Sequence, residues 1–177
     1  MRPGRHGVSD LQNFFDSELG IDVIVVRLIA ATLFGGIIGF EREYLARPAG
    51  MRTHILVALA AATFAVVTLE LMAHAKAEGV TSTDPIRVIE AVTAGVAFLA
   101  AGTIIFSRGE VHGLTTGASL WLAGAIGVAC GIGYYFIAIL ATVLAFLVLT
   151  VLRWVENAMP KKDPPPVPEK GAADASE

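Results

Sequence analysis

Thiol chemistry is almost missing from this chain. Its 177 residues contain one cysteine, Cys130, which excludes an intrachain disulfide. At the end of an apolar segment that cysteine reads as a small buried hydrophobe rather than a reactive thiol. Charge is scarce as well. Only 16% of residues are charged against 55% hydrophobic, and the mean hydropathy is +0.67. That balance excludes an ordinary soluble domain of this size and fits a polytopic membrane protein. There is no Cys/His spacing of the zinc type, no nucleotide-binding glycine loop and no internal repeat. Neither an enzyme nor a cofactor is expected, and no nucleic-acid partner. No apolar run precedes Ile21, so no cleavable signal peptide is expected.

What is abundant is long apolar sequence. Five segments reach the ~20 residues needed to cross a hydrocarbon core of roughly 30 Å. They run from Val23 to Phe40, Ile55 to Ala73, Val88 to Phe106, Leu114 to Cys130 and Tyr134 to Leu152. In lipid every backbone N–H and C=O must be paired, so runs this long and non-alternating are read as helices. The expected fold class is all-α: a multi-pass protein of the lipid bilayer with five transmembrane helices. With the N-terminus outside, Arg42, Arg47, Arg52, Arg108, Arg153, Lys161, Lys162 and Lys170 are cytoplasmic, and Arg2, Arg5, Lys76 and Arg87 lie on the other side. This asymmetry favours N-out, C-in. Residues 1–20 read as a polar tail with Leu11, Phe14 and Phe15 as interface anchors, and residues 21–156 as the transmembrane domain. The proline-rich residues 157–177 read as a disordered tail, too polar to bury a core.

Helix starts and faces follow from residue type. Asp84 is an N-cap with Pro85 at the first helical position, and Thr115 and Thr116 are expected to cap the fourth helix. Gly131-Ile-Gly133 leaves room only for a tight hairpin, so helices four and five should be antiparallel neighbours. Ala31, Gly35 and Gly39 in the first helix, and Gly117, Gly124, Gly127 and Gly131 in the fourth, form small-residue faces that let helices approach closely. The fifth segment has neither charge nor glycine and should face lipid.

Three ionisable residues stand inside apolar spans, where charge is costly and a functional role is the default expectation. Arg27, near the outer end of helix one, is expected to snorkel to the interface. Glu90 shares a helical face with Ala94, Ala97 and Ala101 and is expected to point into the protein. Glu70 lies at a similar depth with His74 four residues on and Asp84 in the outer loop. Their oxygens would suit Mg²⁺ better than zinc, but surface acids paired with Arg27, Lys76 or Arg87 are the simpler reading, and the metal question stays open. His6, His54 and His112 belong to no ligand motif.

The turn between the first two spans, Gly39-Phe-Glu-Arg-Glu-Tyr-Leu-Ala-Arg-Pro-Ala-Gly-Met-Arg-Thr-His-Ile55, holds two carboxylates and three arginines around a Pro-Ala-Gly bend. Glu41 and Glu43 stand at a helix C-terminus, where the macrodipole disfavours negative charge. Pairing with Arg42, Arg47 and Arg52 through guanidinium forks is the expected remedy, giving a rigid corner. The alternative is a solvated positive-inside loop.

Several blocks together resemble the MgtC/SapB family of bacterial membrane proteins. They are Gly39-Phe-Glu-Arg-Glu, Arg47-Pro-Ala-Gly-Met-Arg-Thr-His-Ile-Leu-Val57, Asp84-Pro-Ile-Arg87, Phe98-Leu-Ala-Ala-Gly102 and Gly113-Leu-Thr-Thr-Gly-Ala-Ser-Leu-Trp121. The likeness marks Glu41, Arg42, Glu43, Arg47, Pro48, Gly50, Arg52, Thr53, His54, Asp84, Pro85, Arg87, Gly102, Gly113, Thr115 and Thr116 as motif positions. It implies a five-helix protein of the bacterial cytoplasmic membrane, in a virulence-related family tied to growth in low magnesium. Members of this kind are regarded as regulators of other membrane proteins, the F-type ATP synthase among them, and a homo-oligomer is compatible with the likeness. A small magnesium transporter or channel using Glu70, Glu90 and Asp84 is the alternative. The family block after Asp-Pro-x-Arg usually reads Ile-Ala-Ala-Gln-Val-Val-Ser-Gly-Ile-Gly-Phe-Leu-Gly-Ala-Gly. Here Glu90 appears, Ala91 replaces Gln, and Ala97 and Ala100 replace Gly, which should re-space the closest contact of helix three. The chain resembles a short form lacking the C-terminal cytoplasmic domain of some virulence-associated members.

Overall fold

The computed structural model describes residues 17–79, 84, 86–107 and 109–158. The expectations for Leu11, Phe14, Phe15, Pro85, Arg108, His6 and the proline-rich tail lie outside the described residues. Five helices follow one another: α1 (Ile21–Tyr44), α2 (Met51–Ala77), α3 (Ile86–Gly102), α4 (Leu114–Ile132) and α5 (Tyr135–Ala158). Four of them, α1, α2, α4 and α5, are long and apolar enough to cross a membrane. Helix α3 has 17 residues, about 25 Å at 1.5 Å per residue, at the short end of what spans a hydrocarbon core.

Helix α4 is the centre of the bundle and packs on all four others, most extensively on α2. Its glycines explain how. A Cβ on Gly131 would stand 2.6 Å from the Ala62 carbonyl oxygen and 2.7 Å from Ala65 Cβ, and one on Gly127 would overlap the Ala58 backbone. On another side, Gly124 meets Val96 and Gly117 meets the Ala100 carbonyl of α3. The small-residue face of α1 is buried as expected: Gly35 and Gly39 press on α2 around His54 and Ala58, and Ala31 packs in the core cluster that holds Ala62 and Cys130. Helix α4 ends at Gly133, φ 95°, where Tyr134 N–H bonds the Ala129 carbonyl and Gly133 N–H that of Cys130. This is the Schellman pattern that only glycine accommodates without cost. The chain therefore reverses directly into α5, whose inward stripe is Ala138, Thr142 and Ala145 and whose other faces are exposed. Cys130 is fully buried in the core.

Two expectations are corrected here. The third apolar segment does not remain helical to Phe106: α3 stops at Gly102, and Ile105–Ser107 (β1) pairs antiparallel with Glu110–His112 (β2). Thr103 turns its hydroxyl back to the Ala100 carbonyl at 2.7 Å, and the β-branched run that follows favours extended backbone. Second, the inward face of α3 is Val92, Val96 and Ala100, so Glu90, Ala94, Ala97 and Ala101 face outward. The branched valines, Val96 among them seated on Gly124, supply more buried contact to α4 than the alanine stripe could.

Candidate functional site

The site is built at the end of the bundle where α1 and α5 finish and α2 and α4 begin. A Cβ on Gly39 would lie 2.6 Å from Met51 Cα and 3.0 Å from His54 Cβ, so glycine is what allows α1 to bring Arg42 against the first turns of α2 and α4. His54 is fully buried. Its Nδ1 lies 2.9 Å from the Gly50 carbonyl; a carbonyl only accepts, so Nδ1 carries the proton. In the neutral ring Nε2 is then free to accept from Ser119 Oγ, 3.0 Å away. Ser119 Oγ is also 2.9 Å from the Thr116 carbonyl, so its single proton serves either that carbonyl or Nε2 at any moment, and Thr116 Oγ1 accepts Arg42 Nη2 at 2.6 Å. One polar chain, Arg42–Thr116–Ser119–His54, thus ties α1, α4 and α2 together inside an otherwise apolar contact. Each group is buried, so an unmade bond here costs the full desolvation of a polar group.

The expected carboxylate–arginine pairing of the corner is not what holds it. Among the described residues no arginine nitrogen lies within 4.0 Å of a carboxylate oxygen; the acid–base contacts are His74 with Glu78 and His112 with Glu110. Glu43 instead accepts the Met51 N–H at 2.8 Å. A carboxylate that opposes the dipole of α1 is thereby placed on the favourable N-terminus of α2. A Cβ on Gly50 would collide with that carboxylate at 2.8 Å. Arg47, Pro48, Arg52 and Thr53 are exposed. The corner's rigidity comes from its backbone: Ala46 N–H bonds the Glu43 carbonyl and Arg47 N–H that of Arg42, with Ala46 at φ 50° and Ala49 at φ 57°. Thr115 and Thr116 do not cap α4 either. Gly113, in the left-handed region at φ 88°, holds that position without a side-chain cap; a Cβ there would overlap the Thr103 carbonyl.

Among the described residues, two buried atoms at this end have no hydrogen-bond partner, Glu41 Oε2 and Arg42 Nε. Both residues line a cavity of about 480 Å³ between the corner, β2, the start of α4 and the end of α5.

The other end is organised differently. Arg27 Nη1 donates to the Gly131 carbonyl at 2.9 Å, placing a cation on the C-terminal end of α4 where the dipole favours it. Glu70 is not paired with Arg27, Lys76 or Arg87. It accepts from Ser17 Oγ at 2.7 Å, Glu18 N–H at 3.0 Å and Leu19 N–H at 3.1 Å, pinning the turn that leads into α1. Asp84 Oδ1 accepts the Ile86 N–H at 2.9 Å, the cap expected of it, while Arg87, Glu90 and Gly102 are exposed. Among the described residues no three His, Cys, Asp or Glu side chains stand close enough to hold a metal ion. The residue that motif reading did not single out is Ser119, although a lone hydroxyl three residues after Thr116 on a glycine-rich helix was a usable signal.

The MgtC family model matches residues 28–158. The chain belongs to the MgtC family. It is 45% identical over 127 residues to Protein MgtC of Brucella abortus, covering 71% of this chain and 50% of that one. It is 38% identical over 130 residues to Protein MgtC of Salmonella typhimurium, covering 73% and 52%. It is also 37% identical over 129 residues to an Escherichia coli protein named "Putative magnesium transporter YhiD", covering 73% and 60%. The chain thus spans about half to three fifths of the length of these curated relatives. No solved structure matches it. The MgtC-family region contains the whole Arg42–Thr116–Ser119–His54 chain and the cavity beside it.

Proposed function

We propose that this MgtC-family protein is a non-enzymatic regulator of the bacterial inner membrane. It crosses the bilayer five times with its N-terminus out and acts by seating a helix of another membrane protein against α2 and α3. The observation that carries this reading is an apolar groove of about 570 Å³ between those two helices, with the buried Val57 and Val92 at its base and the exposed Ala60, Phe64, Ala91 and Gly95 along its edges. A Cβ on Gly95 would meet nothing within 4 Å. Small residues along an open slot are what close helix approach in lipid requires, and α3 itself packs only lightly on α2. Glu90 and the alanine stripe lie on the other side of α3, outside the groove's lining. Family resemblance makes the F-type ATP synthase one such partner and low-magnesium or envelope-stress adaptation the setting.

The competing reading, a small magnesium transporter, follows the name of the Escherichia coli relative. Against it, Glu70 is spent on the turn before α1 and Glu90 faces outward on α3, so the two intramembrane acids do not share a path. Purified protein in liposomes containing a magnesium-sensitive dye should show no flux, and Glu90→Gln should be tolerated. Gly95→Leu, which fills the groove, should leave detergent melting unchanged and abolish partner recovery from native membranes. Magnesium flux that Glu90→Gln removes would establish the transporter instead.

A further inference from the structure

The cavity beside the corner pairs unsatisfied groups of opposite charge. Glu41 is nine-tenths buried with Oε2 unpartnered, and Arg42, buried more deeply, has its Nε unpartnered. Both line the same 480 Å³ space without being an ion pair. The first turn of the 19-residue helix α4 opens into it as well, with no side chain capping its N–H groups. Arg47 and Arg153 stand at the rim, and Val148, Leu149 and Leu152 of α5 form an apolar wall. A simple anion would satisfy the guanidinium and the helix N-terminus but leave the carboxylate worse off. A simple cation would do the opposite. A group carrying both charges a few ångströms apart satisfies each.

We propose that this cavity binds a phosphoethanolamine headgroup. Its phosphate is held by the α4 N-terminus with Arg42, Arg47 and Arg153, its primary ammonium donates to Glu41, and its glycerol and acyl portion lies along Val148, Leu149 and Leu152. The apolar wall on a bilayer helix selects a phospholipid over a soluble phosphodiester. The carboxylate selects a primary amine over a choline, which carries no N–H to donate, and over a glycerol headgroup, which carries no cation. Arginine is the residue suited to planar, multidentate phosphate recognition.

The test is native mass spectrometry of the detergent-purified full chain titrated with dioleoyl phosphatidylethanolamine, phosphatidylcholine and phosphatidylglycerol. Phosphatidylethanolamine should bind about tenfold more tightly than either of the others, the scale of one charge-assisted hydrogen bond. Glu41→Gln should bring it down to the phosphatidylcholine level. The double change Arg47→Gln/Arg153→Gln, at exposed positions that do not threaten the fold, should weaken all three lipids, because the phosphate is common to them. Displacement of bound lipid by equimolar glycerophosphoethanolamine would assign the same headgroup chemistry to a soluble ligand, and failure to displace assigns it to the lipid. Equal binding of the three lipids by the wild-type protein, or an ethanolamine preference that survives Glu41→Gln, would overturn the proposal.

Discussion

An alanine at position 127 adds one methyl group where α2 and α4 come closest. A Cβ there stands 2.9 Å from both the Cα and the carbonyl carbon of Ala58, and nearer still to its oxygen. These are backbone atoms and cannot rotate aside. Carbon atoms settle at about 3.5–4.0 Å, so the helices must part by roughly 1 Å, and overpacking of this kind costs about 1–3 kcal/mol. Parting them also stretches the 3.0 Å contact between His54 Nε2 and Ser119, which pushes the cost toward the upper end. Gly95→Ala is the matched control: its methyl meets no atom within 4 Å, and it should be neutral or gain up to about 1 kcal/mol of helix propensity. Thermal unfolding in dodecyl maltoside, followed by circular dichroism, separates the two. At roughly 2–4 °C per kcal/mol, Gly127→Ala should lower the midpoint by several degrees while Gly95→Ala leaves it unchanged or higher. Identical melting of Gly127→Ala and the parent would refute the close α2–α4 approach on which the site depends.

Other changes probe the polar connections singly. Ser119→Ala leaves His54 Nε2 buried without a donor and should cost about 1–3 kcal/mol, read as a lower detergent melting midpoint; no change would mean the imidazole is not held through that hydroxyl. Ala46→Gly, at φ 50° in the Schellman position after α1, should stabilise by about 1 kcal/mol in the same assay. Glu70→Ala removes the acceptor for Glu18 and Leu19, so hydrogen exchange at those two amides should accelerate while the core of α4 is unaffected.

Hydropathy and residue size carried most of the architecture. Apolar run length located all five helices, and the glycine steps of α1 and α4 located the faces that touch, because backbone proximity in lipid depends on side-chain size almost alone. Helix α3 was misread for the same reason. Its alanines and its valines lie on different faces, and size could not tell that α4 would present Gly124, a seat shaped for Val96. The hairpin at 105–112 escaped because Ile105 and Phe106 are as apolar as helix residues, and hydropathy does not register β-branching. At the corner, charge composition drew attention to these residues but did not show their wiring. Adjacent acids and arginines suggested pairs, whereas the fold sends Arg42 to Thr116, 74 positions away, and Glu43 to a backbone N–H. His54 showed no ligand spacing of its own, since its partner Ser119 sits on another helix.

The proposal that this protein works through the α2–α3 groove is tested most directly by site-specific photocrosslinking in native membranes, with a benzophenone amino acid at Ala60 or Ala91 in the groove and at Phe136, exposed on α5, as the comparison. The account predicts an adduct with a different membrane protein from both groove positions, lost when Gly95→Leu is added, and no such adduct from Phe136. Adducts with lipid or with a second copy of this chain alone, indifferent to Gly95→Leu, would contradict it.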